Sequence, residues 1–218
     1  MEENRKGPGV FYAVVGVATL VVAIIGATFA YFSASQENTS AITGQTLDIT
    51  TDFKLDVERV NKSTSVASDN LVPTDITSTV ADINTALTAE CVADGYTGCH
   101  VYKITASSGQ TLETASMKLT LTQTGATNKD NWKYVVYTGS DTSATALVDG
   151  LSGNFDLSTA ADMHKGASIT GGTPVTYYLM IYLADDDTAQ NENGQTGSYS
   201  GTVVFQAAGG QVSASFKG

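Results

Sequence analysis

Basic side chains are scarce in this chain of 218 residues. Charged residues make up 15% of it, and 11 lysines and arginines stand against 22 aspartates and glutamates, for a formal net charge of −11. The sequence lacks a basic patch with interleaved aromatic residues, which is the footprint of nucleic-acid binding. An acidic surface also repels phosphate backbones and anionic lipids. We therefore expect no nucleic-acid partner.

Catalytic signatures are missing as well. The chain has two histidines, His100 and His164, and neither belongs to an H-E-x-x-H motif. A catalytic zinc site would need both histidines and a carboxylate. The G-x-S-x-G elbow, the P-loop and the dinucleotide-binding fingerprint are absent too. The sequence therefore predicts no catalytic residue, no cofactor and a protein that is not an enzyme.

Cysteine occurs twice, as Cys91 and Cys99 in the stretch CVADGYTGCH. The residues between them include Gly95 and Gly98, so the loop is flexible enough for a disulfide to close it. Such a bond would stabilise the fold by about 2–3 kcal/mol through loop entropy, and it fits a location outside the cytoplasm. The alternatives are two reduced thiols or a zinc site with His100, whose spacing does not match structural zinc patterns.

What the sequence does contain is a long apolar run near its start. Val10–Phe32 spans 23 residues without a charge, and as a helix it would be about 35 Å long, enough to cross a bilayer. Arg5 and Lys6 precede the run, which places that end in the cytoplasm and everything after Phe32 outside.

Small residues interrupt the end of this run and indicate a processing site. With Thr28 at position −3 and Ala30 at −1, a signal peptidase would cut before Tyr31. Residues 1–30 are then a signal peptide. The length of the run favours the alternative, a retained N-terminal membrane helix.

Strict alternation follows the predicted cleavage site, in the stretch LDITTDFKLDV. One face carries the apolar side chains Leu47, Ile49, Phe53, Leu55 and Val57. Period-two alternation indicates a half-buried strand. Later segments of the same kind are HVYKITAS, SMKLTLTQ, WKYVVYTG and TYYLMIYLAD. The last is almost continuously apolar and is typical of a buried central strand.

The remaining pattern predicts one helix and one hairpin. Residues 75–93 have apolar positions at helical spacing, at Val80, Ile83, Leu87 and Cys91, with Thr77 or Ser78 as the N-cap. Two β runs near the end surround Gly209 and Gly210, a pair suited to a tight turn. About seven strands with one short helix predict an all-β antiparallel sandwich or jelly roll over residues 46–218. Residues 31–45 form an extended segment before it.

An acidic loop, Ala184–Gly197, offers weak candidates for calcium ligands. These are Asp185, Asp186 and Asp187, with Asn191, Glu192 and Asn193 beyond them. The loop lacks the regular alternation of an EF-hand, so a solvated, mobile hairpin tip is the stronger interpretation.

Two stretches carry a resemblance to a known family. GATFAYFS (Gly26–Ser33), followed by GQTLDITTDF (Gly44–Phe53), resembles the TasA/camelysin family of secreted fibre-forming proteins, whose leaders are cut by a SipW-type signal peptidase. The resemblance implies a jelly-roll subunit that polymerises by donating its freed N-terminal segment to the next molecule. The donor strand would be Tyr31–Thr43, with Phe32 and Ala34 facing one side and Tyr31 and Ser33 the other.

Three functions follow as hypotheses. The first is a secreted, non-enzymatic structural subunit of a bacterial extracellular or biofilm-matrix fibre, with other copies of itself as partners. The second is an adhesin or binding module held on the cell surface by its N-terminal helix. The third, implied by the camelysin resemblance, is a secreted metallopeptidase that would use His100 and His164. The N-terminus of the extracellular protein, Tyr31 or Met1, separates the first two.

Overall fold

The computed structural model of the chain describes residues 53–61, 69–125, 130–155, 157–185, 197–208 and 210–218. The predicted leader (1–30), the extended segment (31–45) and the first half of the first predicted strand lie outside these residues. The chain divides into two compact units, 1–39 and 40–218, and all described residues belong to the second. Within the part described, no helix is both long and apolar enough to cross a membrane.

The described chain contains twelve strands and one helix. They are β1 (Phe53–Arg59), β2 (Pro73–Thr74), α1 (Val80–Thr88), β3 (Val92–Ala93), β4 (Tyr96–Thr97), β5 (Cys99–Ser108), β6 (Leu112–Thr124), β7 (Trp132–Gly139), β8 (Ala144–Asn154), β9 (Leu157–Ile169), β10 (Val175–Ala184), β11 (Ser198–Ala207) and β12 (Gly210–Lys217).

Two sheets make up the body of the fold. The first sheet has the order β1-β5-β10-β7-β8, and the second has the order β12-β11-β6-β9. Their strands are antiparallel, except that short β2 lies parallel to the end of β10. Inward-facing side chains of both sheets share one hydrophobic core. The predicted antiparallel all-β sandwich with one short helix is confirmed.

The alternation predicted from sequence matches the observed burial. In β6, Met117, Leu119 and Leu121 are fully buried, whereas Lys118 is exposed. In β1, Leu55 and Val57 are buried, whereas the alternate residues Lys54, Asp56 and Glu58 face solvent. A period of two produces this pattern because successive side chains of a strand point to opposite faces of the sheet.

The continuous apolar run of β10 is explained by cover on both of its faces. Leu179, Ile181 and Leu183 point into the core between the sheets. Tyr178 and Tyr182 point the other way, into a second apolar cluster. The helix α1 contributes Ile83 and Leu87 to this second cluster, so the central strand is buried as predicted.

The helix begins later and ends earlier than predicted. Thr79 is its N-cap, with its hydroxyl accepting a hydrogen bond from the Asp82 backbone N–H at 3.2 Å. The prediction of Thr77 or Ser78 as the cap is wrong, because both hydroxyls bond elsewhere: Thr77 to the Asp82 carboxylate and Ser78 to the Tyr182 hydroxyl. All these residues favour caps, so the sequence alone does not separate them.

Strands β8 and β9 were not predicted. Their register is broken: on β7, Val135 pairs with Ser152 while Tyr137 pairs with Leu147, and four shifts interrupt the pairing of β9 with β6. Each β-bulge adds a residue to one strand and disturbs the alternation of inward and outward side chains. At the last hairpin, Gly210 pairs with Ala207 and belongs to β12, so the predicted turn is displaced.

A glycine in β11 makes room for an aromatic ring on its partner strand. A Cβ atom at Gly201 would lie 2.1 Å from Cζ of Phe216, the residue directly opposite it on β12. We expect Gly201→Ala to destabilise the fold by about 1–3 kcal/mol through overpacking. Urea denaturation measures this change, and adding Phe216→Leu should recover part of the loss. Wild-type stability of the single variant would contradict the prediction.

Candidate functional site

One side of the sandwich ends in two strand edges. β8 ends the first sheet and β9 ends the second, and the short stretch around Phe155 connects them. Among the described strands, β8 is bonded only to β7 and β9 only to β6. The outer edge of a terminal strand presents backbone N–H and C=O groups to an incoming strand. We call this side, formed by β8 and β9, the open side.

Part of the core is accessible from the open side. Val148, Leu157 and Ala161 pack against the core but are only half-buried. Behind them, Leu151 and Phe155 are fully buried. An extended peptide with apolar residues at alternate positions would cover such a rim while its backbone pairs with the edge.

The bulges of β8 and β9 restrict what can pair with this side. Gly150, Gly153 and Gly166 have positive φ angles of 70°, 143° and 63°, a conformation that glycine adopts without strain. Bulges twist an edge away from the flat geometry that promotes indiscriminate strand pairing. The β8 and β9 edges are therefore irregular rather than flat.

The chain enters the sandwich on the opposite side. Phe53 starts β1, which ends the first sheet beside β12 of the second sheet. These two strands approach each other, and the Phe53 ring lies 5.4 Å from the ring of Phe205. The first described strand thus lies on the side of the sandwich away from the β8 and β9 edges.

The residues predicted for processing and strand donation lie outside the described part of the chain. They are Thr28, Ala30, Tyr31, Phe32 and Ala34. The same holds for Asp186 and Asp187 of the acidic loop. Asp185 is described, and its backbone N–H donates to the Thr74 carbonyl at 2.9 Å.

The predicted disulfide is present. Cys91 and Cys99 are bonded, and both are buried. The bond joins the segment after α1 to the first residue of β5. It therefore fastens the helix to the sheet whose outer face the helix covers.

The two histidines lie in separate, similar contacts. His100 Nδ1 bonds the Tyr199 hydroxyl and its Nε2 lies 3.0 Å from the Asp69 carbonyl. His164 Nδ1 lies 3.0 Å from the Tyr177 hydroxyl, and its Nε2 lies 3.1 Å from the Ala167 carbonyl. A carbonyl only accepts, so in each case Nε2 carries the hydrogen and Nδ1 accepts from the tyrosine.

This placement separates the ligands that a zinc peptidase would need together. On β10, Ile181 is opposite His100 and Tyr177 contacts His164. Four residues along a strand correspond to about 13 Å. In the described ranges, no group of three or more His, Cys, Asp or Glu side chains is arranged to hold a metal ion.

A buried tyrosine network continues from His100. The hydroxyls of Tyr199 and Tyr102 lie 2.7 Å apart, and the Tyr102 oxygen lies 3.2 Å from the Lys217 carbonyl. Because Tyr199 donates to His100, the single hydrogen of the Tyr102 hydroxyl is shared between the Tyr199 oxygen and the Lys217 carbonyl. Burial raises the pKa of both phenols. Sequence reasoning missed this network because its members come from strands almost one hundred residues apart. The only signal was an excess of tyrosine at inward positions.

Tyr137 provides a contrast to Tyr199. Its ring stacks on Tyr178 at 5.3 Å beneath the helix, and its hydroxyl is buried without a hydrogen-bond partner in the structure described. Burial raises the pKa of this phenol as well.

We expect Tyr199→Phe to lower the stability of the fold and Tyr137→Phe not to lower it. The first removes the donor to His100 Nδ1 and leaves a buried acceptor unsatisfied, which costs about 1–3 kcal/mol. The second removes a buried hydroxyl that has no partner, so stability should be unchanged or raised. Urea denaturation of the two variants provides the comparison. Equal losses would show that the Tyr199 contact contributes nothing specific.

Stability should fall at alkaline pH. Burial is the first cause of a raised pKa at seven tyrosines: Tyr102, Tyr134, Tyr137, Tyr177, Tyr178, Tyr182 and Tyr199. In the unfolded chain these phenols lose their protons near pH 10. The folded state keeps these phenols protonated to a higher pH than the unfolded chain does. The stability that comes from their raised pKa values is therefore complete below about pH 10, and it is lost as the pH rises toward the pKa values of the folded state.

Circular dichroism and phenolate absorbance at 295 nm between pH 8 and pH 12 test this expectation. The melting temperature should drop above about pH 10, and most phenolate should appear together with unfolding. If most tyrosines ionise near pH 10 while the circular dichroism stays native, the expectation is wrong.

The contacts described above are the basis for the functional argument. Comparison with known proteins finds no protein family whose model matches this chain and no curated protein that matches it.

Proposed function

We propose that this protein is a secreted, non-enzymatic structural subunit of an extracellular or biofilm-matrix fibre. The sequence support is the resemblance of Gly26–Ser33 and Gly44–Phe53 to the TasA/camelysin family. The structural support is a β-sandwich with two edge strands on one side. A jelly-roll connection of the strands is part of the proposal.

The observation that carries the proposal is the position of the chain's entry relative to the open side. β1 is the first described strand, and the β8 and β9 edges lie across the sandwich from it. A segment donated by one copy to the open side of the next makes a head-to-tail contact. Contacts of this kind do not close on themselves, so repetition produces a filament.

The donor is Tyr31–Thr43. In an extended conformation, Phe32 and Ala34 face one side, where they cover the half-buried rim formed by Val148, Leu157 and Ala161. Backbone hydrogen bonds to the edge provide affinity, and the alternating side chains set the register. The rim is apolar, so it matches the apolar face of the donor.

The segment between the donor and β1 is long enough for the donor to reach a neighbouring copy. Residues 44–52, which link the donor to β1, span at most about 31 Å when extended. The width across five strands is about 19 Å. A donor on one copy therefore reaches beyond its own sandwich without unfolding β1.

Processing switches assembly on in this proposal. While residues 1–30 are attached, the apolar run Val10–Phe32 holds the donor at the membrane. A SipW-type signal peptidase cuts between Ala30 and Tyr31 and frees it. The extracellular protein then begins at Tyr31, which N-terminal sequencing checks directly. An N-terminus at Met1 would favour the anchored binding module.

Complementary variants test strand donation. Donor-free protein lacks residues 31–43 of the processed chain 31–218, and acceptor-blocked protein carries Val148→Lys and Leu157→Lys. We expect the processed chain to form fibres and each variant alone to stay monomeric. Mixed together, the two should stop at one-to-one dimers, because each supplies only one half of the contact. Electron microscopy and analytical ultracentrifugation read out fibres and dimers.

A matched control is Ser152→Lys with Thr159→Lys, which adds the same charges at exposed positions of the same strands. It should leave fibre formation intact. Fibres formed by the donor-free protein, or a processed chain that remains monomeric at high concentration, would overturn the proposal.

A further inference from the structure

A series of hydrogen-bond contacts runs through the core and connects the two sheets. It starts at the Asp69 carbonyl, passes through the His100 ring and the hydroxyls of Tyr199 and Tyr102, and ends at the Lys217 carbonyl. His100 and Tyr102 belong to β5 of the first sheet, whereas Tyr199 and Lys217 belong to β11 and β12 of the second. We call these four contacts the His100 series.

The middle of the His100 series is buried. His100 is 4% exposed, and Tyr102 and Tyr199 are each 3% exposed. The rings of Trp132 and Phe155 lie 5.8 Å and 5.4 Å from the Tyr199 ring, so the hydroxyls sit among apolar groups. A buried polar atom that lacks a partner destabilises the fold, so the position of every hydrogen in the series matters.

The neutral series has fewer hydrogens than contacts. Each of its four contacts needs one hydrogen between the two heavy atoms. The neutral imidazole of His100 supplies one hydrogen, at Nε2, and each of the two tyrosines supplies one. Three hydrogens therefore serve four contacts, and either the Tyr199–Tyr102 contact or the Tyr102–Lys217 contact lacks a hydrogen.

One additional proton completes the His100 series. In the imidazolium form both ring nitrogens donate, so Nδ1 gives its hydrogen to the Tyr199 oxygen while Nε2 still donates to the Asp69 carbonyl. Tyr199 then donates to Tyr102, and Tyr102 donates to the Lys217 carbonyl. Every contact in the series now has its own hydrogen.

The Lys217 carbonyl gains a full hydrogen bond from this change. Tyr199 and Gly218 exchange both of their backbone hydrogen bonds at 3.1 Å, so the neighbouring residues Ser200 and Lys217 form a non-hydrogen-bonded pair of the antiparallel ladder. The Lys217 carbonyl thus points away from β11, and the Tyr102 oxygen lies 3.2 Å from it. A hydrogen bond here connects the end of β12 to β5 of the other sheet.

Two charged side chains have opposing effects on a proton at His100. The Asp69 carboxylate lies 3.9 Å from Nε2 and favours the imidazolium. Burial disfavours it, as does the Arg59 guanidinium, which bonds the same carboxylate at 2.5 Å. Because Arg59 and Asp69 together carry no net charge, the additional hydrogen bond, which is charge-assisted, determines the balance. The phenols of Tyr102 and Tyr199 stay neutral because burial raises their pKa.

We propose that His100 is a proton-binding site that makes the connection between the two sheets sensitive to pH. In mildly acidic solution Nδ1 takes up a proton, the Tyr199 hydroxyl changes from donor to acceptor at that nitrogen, and the His100 series is completed. The folded domain is therefore more stable in mildly acidic than in mildly alkaline solution. Its residues lie outside β8 and β9, so this role does not depend on fibre assembly.

His164 provides the contrast within the same protein. Its ring makes two contacts, with the Tyr177 hydroxyl and with the Ala167 carbonyl. The hydrogens of a neutral imidazole and of one phenol already fill both contacts. A proton at His164 therefore adds no hydrogen bond to the fold, although the two histidines have similar partners.

The first test uses the full chain, labelled with ¹⁵N and kept in a zwitterionic detergent. Long-range ¹H–¹⁵N spectra report the protonation of each ring nitrogen between pH 5.5 and pH 8.5, and His164→Gln leaves His100 as the single histidine. We expect Nδ1 of His100 to take up a proton with a midpoint above the ordinary histidine value of about 6.5. A midpoint at or below that value would overturn the proposal.

Tyr102→Phe tests whether the number of hydrogens causes the effect. Without the Tyr102 hydroxyl, the two contacts of His100 remain, and the hydrogens of a neutral ring and of Tyr199 fill both. We therefore expect the His100 midpoint to fall by about one pH unit, a tenfold loss of proton affinity, although the ring keeps both partners. Tyr134→Phe, at another buried tyrosine of the core, is the matched control. An unchanged or raised midpoint in Tyr102→Phe would contradict the proposal.

Melting temperatures provide a second measurement. The stability that comes from the His100 proton is complete below about pH 6.5, and it is lost as the pH rises through the midpoint of the folded state. Between pH 8.5 and pH 5.5 the wild type should therefore gain about 2–4 °C relative to His100→Gln, which cannot take up the proton. His164→Gln should gain at least as much as the wild type. Equal changes in the wild type and His100→Gln would refute the proposal, and the titration of the His100 ring tests it even if His100→Gln does not fold.

Discussion

The fold depends on the need to cover β10 on both faces. This central strand carries large apolar side chains in both directions, so burial by the second sheet accounts for only half of them. The helix α1 supplies the other cover through Ile83 and Leu87. Because a single short helix has little packing surface of its own, it is also held by the Cys91–Cys99 bond.

A second theme is the use of tyrosine across the core. Tyr199 and Tyr102 connect strands of opposite sheets through their hydroxyls, and Tyr177 meets His164 in the same way. Aromatic rings bury large areas, and their hydroxyls reach polar partners across the layer. Polar contacts inside the apolar core thus connect the two sheets at two places. Among the described strands, β8 and β9 each have one hydrogen-bonded neighbour.

The sequence was sufficient to predict strands with regular pairing. Alternation identified β1 and β6, and the continuous apolar run identified β10, because burial of a flat strand follows directly from side-chain direction. It failed for β8 and β9, where bulges break the period. The predicted N-cap was also wrong, because neighbouring hydroxyl residues have similar capping propensity.

The candidate sites were harder to predict than the fold. The disulfide was predictable because its two cysteines are close in sequence. The buried tyrosine network was not, because His100, Tyr102 and Tyr199 come from distant segments that only the fold brings together.

The Cys91–Cys99 bond gives the protein a dependence on its redox surroundings. Without that bond, the helix would rest on the outer face of the sheet through packing and hydrogen bonds alone. Formation of the bond restricts the unfolded chain, which stabilises the folded domain by about 2–3 kcal/mol. The domain therefore reaches its full stability only where the two thiols can be oxidised.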